Sequence, residues 1–566
     1  MKKPLFNFFK GTFVSFLILF ASCNPRHIKN ELVFTYVDPL EKIFKETAFF
    51  PDAEAAAHVA RGEHATFQFA FRTPVPMHDL MFEVELEPPG ETQLGIPESG
   101  FVDFVRFGRK ALEPATDRLH SVSGFFPDPI IVHERRTIGS YETLPIWIRI
   151  PILKNTEPGT YTGKVTIKGK SGLRRFRETR ELKVQVYSPV IDRTSLWVTN
   201  WFGYAFSYMN NGKDVEPYSD MYWDLTRTLA RQMAQYRQNV ALISPLQLAE
   251  YVIGDSLDFH IDFTRFIKTV EIFSEEGVLG RIEGGHIGTR ESTWTSPFRV
   301  FVPVEKSDSI ILEKFEISSD TARIFYTTFF TELSKVLQDH HWQDIYMQHI
   351  ADEPIDPNVD SYIEISNFIR KLIPDIPIIE ACHSSQLENS ISIWVPQLDF
   401  FHIDHEFYNQ RREQGDEIWF YTCLSPKGEY ANRFIDQPLI KTRLLHWINF
   451  KYNASGYLHW GLNHWNHSRD PYNETSGIIL ESGNIMPAGD AWIIYPGERQ
   501  VYPSLRLEAM RDGIVDYELL RMLSVKDEEK AMQLANQIVF AFNRYETDIG
   551  TFRSVRRQML ELLSYQ

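Results

Sequence analysis

Between residues 31 and 189 the apolar positions come in short runs, at 65–72, 80–86, 144–152, 163–168 and 182–186. Turn-forming clusters such as 87–90 and 157–163 break them. In one run Tyr161, Val165 and Ile167 alternate with other residues and fall on one face of a strand. Short runs of this kind, without a helical period, predict an all-β sandwich. After Pro189 the rhythm changes. Strand-length runs at 196–200, 239–243, 279–283, 344–350, 376–380, 400–403, 418–422 and 456–460 alternate with helical segments, among them 218–237, 264–275, 319–339 and 439–452. Eight strands of this kind close a (β/α)8 TIM-type barrel. From Ser504 onward Leu505, Leu507, Met510, Ile514, Tyr517, Leu520 and Leu523 keep helical spacing. The expected order is a β-sandwich over 23–190, a catalytic barrel over 191–503 and a C-terminal helical segment over 504–566 that closes the barrel.

Residues 1–22 stand outside this plan. Lys2, Lys3 and Lys10 accompany an apolar stretch at 11–20, and Ala21, Ser22 and Cys23 follow. This resembles a bacterial lipoprotein signal. It predicts loss of residues 1–22, lipidation of Cys23, and an exported protein anchored to a bacterial membrane, facing the periplasm or the cell surface. The net charge of −16 becomes −19 when the three leader lysines are lost. An acidic chain with no overriding Lys/Arg tract is a poor partner for nucleic acid. Beyond Cys23 only Cys382 and Cys423 remain, too few for a disulfide framework and without zinc-site spacing. The aromatic content of 14% suits both large cores and stacking on sugar rings. The sequence carries no sign of a cofactor and sets no oligomeric state.

Barrel enzymes place their chemistry at the C-terminal ends of the strands. Seven of the eight expected ends carry aromatic, His or carboxylate residues. The fourth, at His349-Ile-Ala-Asp352-Glu353-Pro354, carries two adjacent acids. Adjacent residues of a strand point apart, but at its end the backbone can turn both into the cleft. Two close carboxylates repel, which raises one pKa and provides a general acid near neutral pH. A retaining glycosidase ordinarily needs a second carboxylate as nucleophile. The seventh expected strand instead ends at Tyr421. A sugar with a 2-acetamido group can supply its own nucleophile through the amide oxygen. One carboxylate then orients the amide and the other acts as acid/base.

The strings His349–Pro354, Ile282-Glu-Gly-Gly-His286, Arg237-Gln-Asn239, Gly456-Tyr-Leu-His-Trp460 and 505–517 resemble glycoside hydrolase family 123, over nearly all of the chain beyond the leader. The resemblance implies a retaining, exo-acting β-N-acetylgalactosaminidase working on glycolipid-type or related glycans by substrate assistance. Asp352 would orient the acetamido group and Glu353 would be the acid/base. Trp201, Glu283, His286, His349, His383, Tyr421, Trp460 and Trp465, at the strand ends, are the candidate substrate-binding residues. Among them Tyr421 would bond the acetamido oxygen, Trp460 and Trp465 would stack on sugar, and His286 and His383 would meet hydroxyls. In the 505–517 string Arg506, Glu508, Arg511 and Asp512 are read as structural ion pairs beneath the barrel. Glycan substrate and membrane are the expected partners. Three other readings stay open: a different sugar with Glu283 or Glu406 as nucleophile, a glycan-binding lipoprotein without catalysis, and a metal-dependent hydrolase using the His402/His405 or His464/His467 spacings. No metal site is expected.

Overall fold

The computed structural model describes residues 32–51, 53–87, 94–107, 118–132, 135–307, 309–475 and 486–565. The leader and Cys23 lie outside them. The first ten strands form two five-stranded sheets. One is ordered Val33–Val37, His64–Arg72, Thr143–Pro151, Glu98–Arg106, Phe125–Ile131. The other is ordered Ala56–Arg61, Arg174–Val190, Gly159–Ser171, Met77–Glu87, Arg136–Ile138. Phe67, Phe69, Phe71, Ile146 and Ile148 of the first sheet pack with Val165, Ile167 and Val184 of the second. Strand Thr143–Pro151 is buried along almost its whole length. Its outer face is covered too: Trp147, with Val102, Phe126 and Ile130, belongs to the apolar cluster of the barrel.

Eight parallel strands follow: Trp197–Asn200, Val240–Leu242, Arg281–His286, Tyr346–His349, Ile379–Cys382, Ile393–Pro396, Glu417–Tyr421 and Gly456–His459. The eighth pairs with the first, so the ring closes. Its loosest seam lies between the first and second strands. There the Asn239 side-chain oxygen accepts from the Val198 N–H at 2.9 Å, and that of Gln238 from the Asn200 N–H at 3.2 Å. Helices Asp220–Gln235 and Asp320–Asp339 begin at Ser219 and Ser319, whose side chains accept from the first-turn N–H groups.

The sixth strand corrects the sequence expectation. Residues 400–403 belong to helix Leu398–Ile403, and the strand is Ile393–Pro396. Leu398 and Phe401 are buried three residues apart, the spacing of one helical face, whereas all four residues of Ile393–Pro396 are buried. Glu406 consequently sits exposed on helix His405–Glu413, not at a strand end.

Helix Leu505–Lys526 lies along helix Leu439–Lys451. The two come so close at Gly513 that a Cβ there would collide with the Arg443 carbonyl oxygen. The ion pairs of this string tie the domains together rather than staying beneath the barrel. Arg506 meets Asp128 of the sandwich at 2.8 Å with both side chains fully buried. Glu508 meets Arg149 of the sandwich at 3.2 Å. Arg511 and Arg443 hold Asp512, and Arg443 and Arg556 hold Asp516.

Candidate active site

The fourth barrel strand ends at His349, and Asp352 and Glu353 follow in the turn above it. Glu353 has φ of 49°, a left-handed conformation that strains a residue with a Cβ by ~1–2 kcal/mol. The Arg290 guanidinium holds that turn, donating to the Glu353 carbonyl at 2.6 Å. The His383 N–H does the same for the Pro354 carbonyl at 3.3 Å. Because of the turn, the two acids diverge inside the mouth of the barrel. Asp352 lies on the side of His286, 3.9 Å from its Nε2. Glu353 lies on the side of the fifth and seventh strands, where the Tyr421 hydroxyl donates to it and His383 Nε2 stands at 3.5 Å. His383 in turn bonds Tyr421 and stacks on Phe400 with ring centroids 4.7 Å apart.

The two carboxyls differ in their titration. The Asp352 side chain keeps 49% of its surface open, toward the cleft, while protein crowds it on the other sides. That loss of water, and then the charge of Glu353, push its pKa up to about 6. Glu353 is 18% exposed. Burial alone would raise its pKa, but hydrogen bonding and charge from His383, the Tyr421 hydroxyl and Arg290 outweigh burial and hold it below the usual carboxylate range.

Beneath the pair lies a buried chain of charges. His349 is fully buried, with Nδ1 at 2.9 Å from Glu380 and Nε2 at 3.0 Å from Glu283. Burial would lower its pKa, yet the charge of Glu380 and the hydrogen bonds the ring donates to both acids raise it to about 10, so the ring is an imidazolium. Glu380 also accepts from His286 at 3.0 Å, from Tyr362, and from the N–H groups of Ile350 and Ala351. Despite burial, His286 and His349 hold its pKa at about 2. Glu283 accepts from the Trp201 indole at 2.8 Å, and that ring stands edge-on to His286 and His349. The third strand can pass this close because of Gly284, where a Cβ would collide with the Tyr346 hydroxyl. His286, His349 and Glu380 are the one group among the described residues that could hold a metal ion. Their ligand atoms already bond one another and Glu283, so an ion would have to displace the protons that join them.

The expected residues therefore separate into two sets. His286, His383, Tyr421, Trp201 and Trp460 gather around the pair or at the rim of the mouth. Trp460 stacks on His464 at 5.2 Å and donates to buried Asp490 at 3.1 Å. Burial pushes the Asp490 carboxyl up to about 7. Glu283, His349 and Trp465 are corrections: all three are fully buried and cannot touch a sugar. Glu283 and His349 position the floor of the site, and Trp465 is core, its indole N–H donating to the Ile494 carbonyl at 2.9 Å. The burial of Glu283 and the placing of Glu406 on an exposed helix remove both acids considered as separate nucleophiles. Four residues that line or support the site were missed: Glu380, Tyr362, Arg290 and Trp294. A lone acid in the apolar string Ile379-Glu380-Ala381-Cys382 was the available signal for the first. Arg290, over the half-exposed Trp294 ring at 3.7 Å, comes from a hairpin inserted after the third strand. Cys382 and Cys423 are both free thiols.

The family model described as glycoside hydrolase 123, catalytic domain, matches residues 205–523. The chain belongs to glycoside hydrolase family 123. The model for the family's N-terminal domain matches residues 109–169. Among solved structures the chain is similar to a family 123 glycoside hydrolase from Clostridium perfringens, at 15% identity and a TM-score of 0.71, covering 94% of this chain and 97% of that one. That structure was described for details of glycolipid glycan hydrolysis. A β-galacturonidase of another family, from Eisenbergiella tayi, aligns at 10% identity with a TM-score of 0.30, over 80% of this chain and 69% of that one. A comparison with curated protein sequences finds no match. In this family 123 glycoside hydrolase the matched catalytic segment contains every residue of the carboxylate pair and the charge chain below it.

Proposed function

We propose that the protein is a retaining, exo-acting β-N-acetylhexosaminidase, with N-acetylgalactosamine as the favoured sugar and glycolipid-type glycans as the substrate class. The observation that carries this reading is the seventh strand. It ends in Tyr421, bonded to Glu353, where a conventional nucleophile would be sought, and the other two acids considered for that role are buried or remote. The substrate's own amide oxygen then attacks the anomeric carbon as the glycosidic bond breaks. Glu353 gives its proton to the departing oxygen, and the sugar is left as an oxazolinium ion. Asp352 accepts the amide N–H and stabilises the positive charge that develops there. Glu353 next takes a proton from water, which opens the ring with net retention.

In the unliganded protein Asp352 is the more basic carboxyl, the reverse of what these roles require. The two groups titrate as a pair. An amide N–H bonded to Asp352 favours its charged form, and the shared proton moves to Glu353. Substrate binding thus arms the acid.

The test is release of aglycone from a panel of aryl β-glycosides by the wild type, Asp352→Asn and Glu353→Gln. Turnover of the N-acetylgalactosaminide, abolished by Asp352→Asn and slowed at least ~100-fold by Glu353→Gln, is expected. Turnover of sugars lacking the acetamido group would sink the proposal, and no turnover with unchanged glycan affinity in both variants would favour a binding protein.

We also propose that Cys23 is lipidated and tethers the enzyme to a bacterial membrane, on its periplasmic or outer face. Replacement of Cys23 by Ser should move the protein from the membrane fraction to the soluble one after a high-salt wash, which releases electrostatic contacts but not an acyl anchor.

A further inference from the structure

The start of the described chain and three exposed turns share one end of the sandwich. Val33 pairs with Arg72, and Arg72 with Thr143. His78 pairs with Lys170, and Ser171 with Arg174. The turns that join these strands carry Val75 at 44% exposure, Tyr141 at 49% and Leu173 at 102%. Leu173 is the tip of a tight hairpin, its side chain wholly in water. Single apolar residues at a surface need no explanation, but three from separate turns at one end form a set.

Around them lies a basic cluster, most of it from the single stretch 168–177, which the fold brings beside Arg135. Arg174, Arg175 and Arg177 descend from the hairpin tip and make no ion pair among the described residues. Lys170 and Arg135 stand beside them with Asp79 between. A shallow groove of about 430 Å³ runs between Arg135, Lys170, Arg175 and Phe176. The whole chain carries −16, so an anionic surface repels most of the molecule and attracts this end. Apolar tips ringed by Arg and Lys are what an interfacial contact with anionic headgroups requires.

Two further observations say what covers this end. Nine residue steps separate Cys23 from Leu32, so a lipid on Cys23 keeps Leu32 within roughly 32 Å of its bilayer. The same end is also tied to the mouth of the barrel. The Thr143 N–H donates to the Lys45 carbonyl at 2.8 Å, and Lys42 donates to the carbonyl of Ile435, in the loop after the seventh strand. The Leu119 N–H donates to Asp436 of that loop at 2.8 Å.

We propose that this end of the sandwich seats on the anionic lipid surface that carries the anchor, and so turns the barrel mouth toward glycans displayed close to it. The choice of that surface rests on the Cys23 anchor proposed above; the contact itself does not need the acyl chain. The experiment uses the chain from Asn24 onward, which keeps the described fold and cannot be lipidated. Co-sedimentation with vesicles of phosphatidylglycerol and phosphatidylethanolamine is expected, with little on phosphatidylcholine alone. Arg174→Glu with Arg175→Glu should lower the vesicle partition coefficient at least ~10-fold, and Leu173→Asp should lower it several-fold. Hydrolysis of a soluble aryl glycoside should not change in either variant, which shows that they fold. Equal binding to both vesicle types, binding untouched by the substitutions, or retention on a sulfated polysaccharide but not on vesicles would overturn the proposal. Failure of the anchor would appear only in the salt-washed Cys23→Ser fractionation, where the surface contact is already released, so the two readings fail separately.

Discussion

His349 and Glu380 meet at 2.9 Å beneath the carboxylate pair, with no surface of either side chain open to solvent. Glu380 also receives the N–H groups of Ile350 and Ala351, the two residues that lead into Asp352. A buried ion pair thus fixes the turn on which the reacting acids stand. The substitution Glu380→Gln leaves the His349 charge short of one partner and should cost ~3–5 kcal/mol of stability. The pH dependence of wild-type unfolding carries the same information. Glu380, lowered to about 2, stabilises above its unfolded pKa and loses that contribution as pH falls toward 2. His349, raised to about 10, stabilises fully below its unfolded pKa and loses that contribution as pH rises through 10. Urea unfolding at pH 3, 6 and 10 should show stability falling on both sides. In the Glu380→Gln variant the decline on the acid side should be shallower than in the wild type, and an unchanged acid limb would contradict the pairing.

The two carboxylates can be told apart by leaving group. With a good leaving group such as nitrophenol little protonation is needed, so Glu353→Gln should lose less rate than with an alkyl aglycone. Asp352→Asn should lose about the same with both, because it acts on the amide rather than on the departing oxygen. Plots of log kcat/KM against aglycone pKa for the two variants distinguish these slopes; equal slopes would reverse or merge the roles.

The pair's shared proton sets a pH limb. Because Asp352 titrates near 6 in the free enzyme, kcat/KM should fall as pH rises past about 6, where the pair loses its last proton. Tyr421→Phe removes one of the donors that depress Glu353, so its pKa rises and the alkaline limb should move to higher pH. A rate measurement across pH 4–9 checks both statements, and a limb unmoved by Tyr421→Phe would contradict the hydrogen bond.

Trp460 and Trp465 should respond differently. Trp460, at the rim, should raise KM when changed to Ala, and should cost less stability than Trp465 because it is only partly buried, its main structural loss being the hydrogen bond to Asp490. Trp465, wholly in the core, should cost ~3–5 kcal/mol of stability when changed to Ala. Chemical denaturation and steady-state kinetics on both proteins separate a wall of the cleft from a piece of the interior.

Arg506→Met should cost ~3–5 kcal/mol, since it strands Asp128 without a cation in a dry interface between domains. The double change Arg506→Met with Asp128→Leu should recover much of that loss, and a cycle of urea midpoints measures the coupling.

Much of the architecture was legible because burial follows period. Seven of the eight barrel strands fall where apolar runs predict them, and helices such as Thr264–Glu275 keep their expected bounds. The sixth failed because Phe400 and Phe401 look like a strand until the helical spacing of Leu398 and Phe401 is seen in space. At the site, Asp352 and Glu353 announced themselves by adjacency at a strand end. Strand ends did not reveal which neighbours face solvent, since His286 and His349 lie side by side, one partly open and the other fully buried. Arg290 was illegible because it arrives on an inserted hairpin, and Glu380 because one acid within an apolar strand has no partner until the fold supplies His349.

The outer face of the first sheet, with Trp147, Phe126 and Ile130, is buried in the same apolar cluster as the barrel. An accessory module joined by a linker can be gained, lost or exchanged by recombination without harm to its neighbour. Here a cut at Val190 would leave both halves with a wet hydrophobic wall and Arg506 with no counter-charge. The sandwich is therefore inherited with the barrel as one unit, and a gene fragment encoding the barrel alone should yield insoluble protein rather than a smaller enzyme.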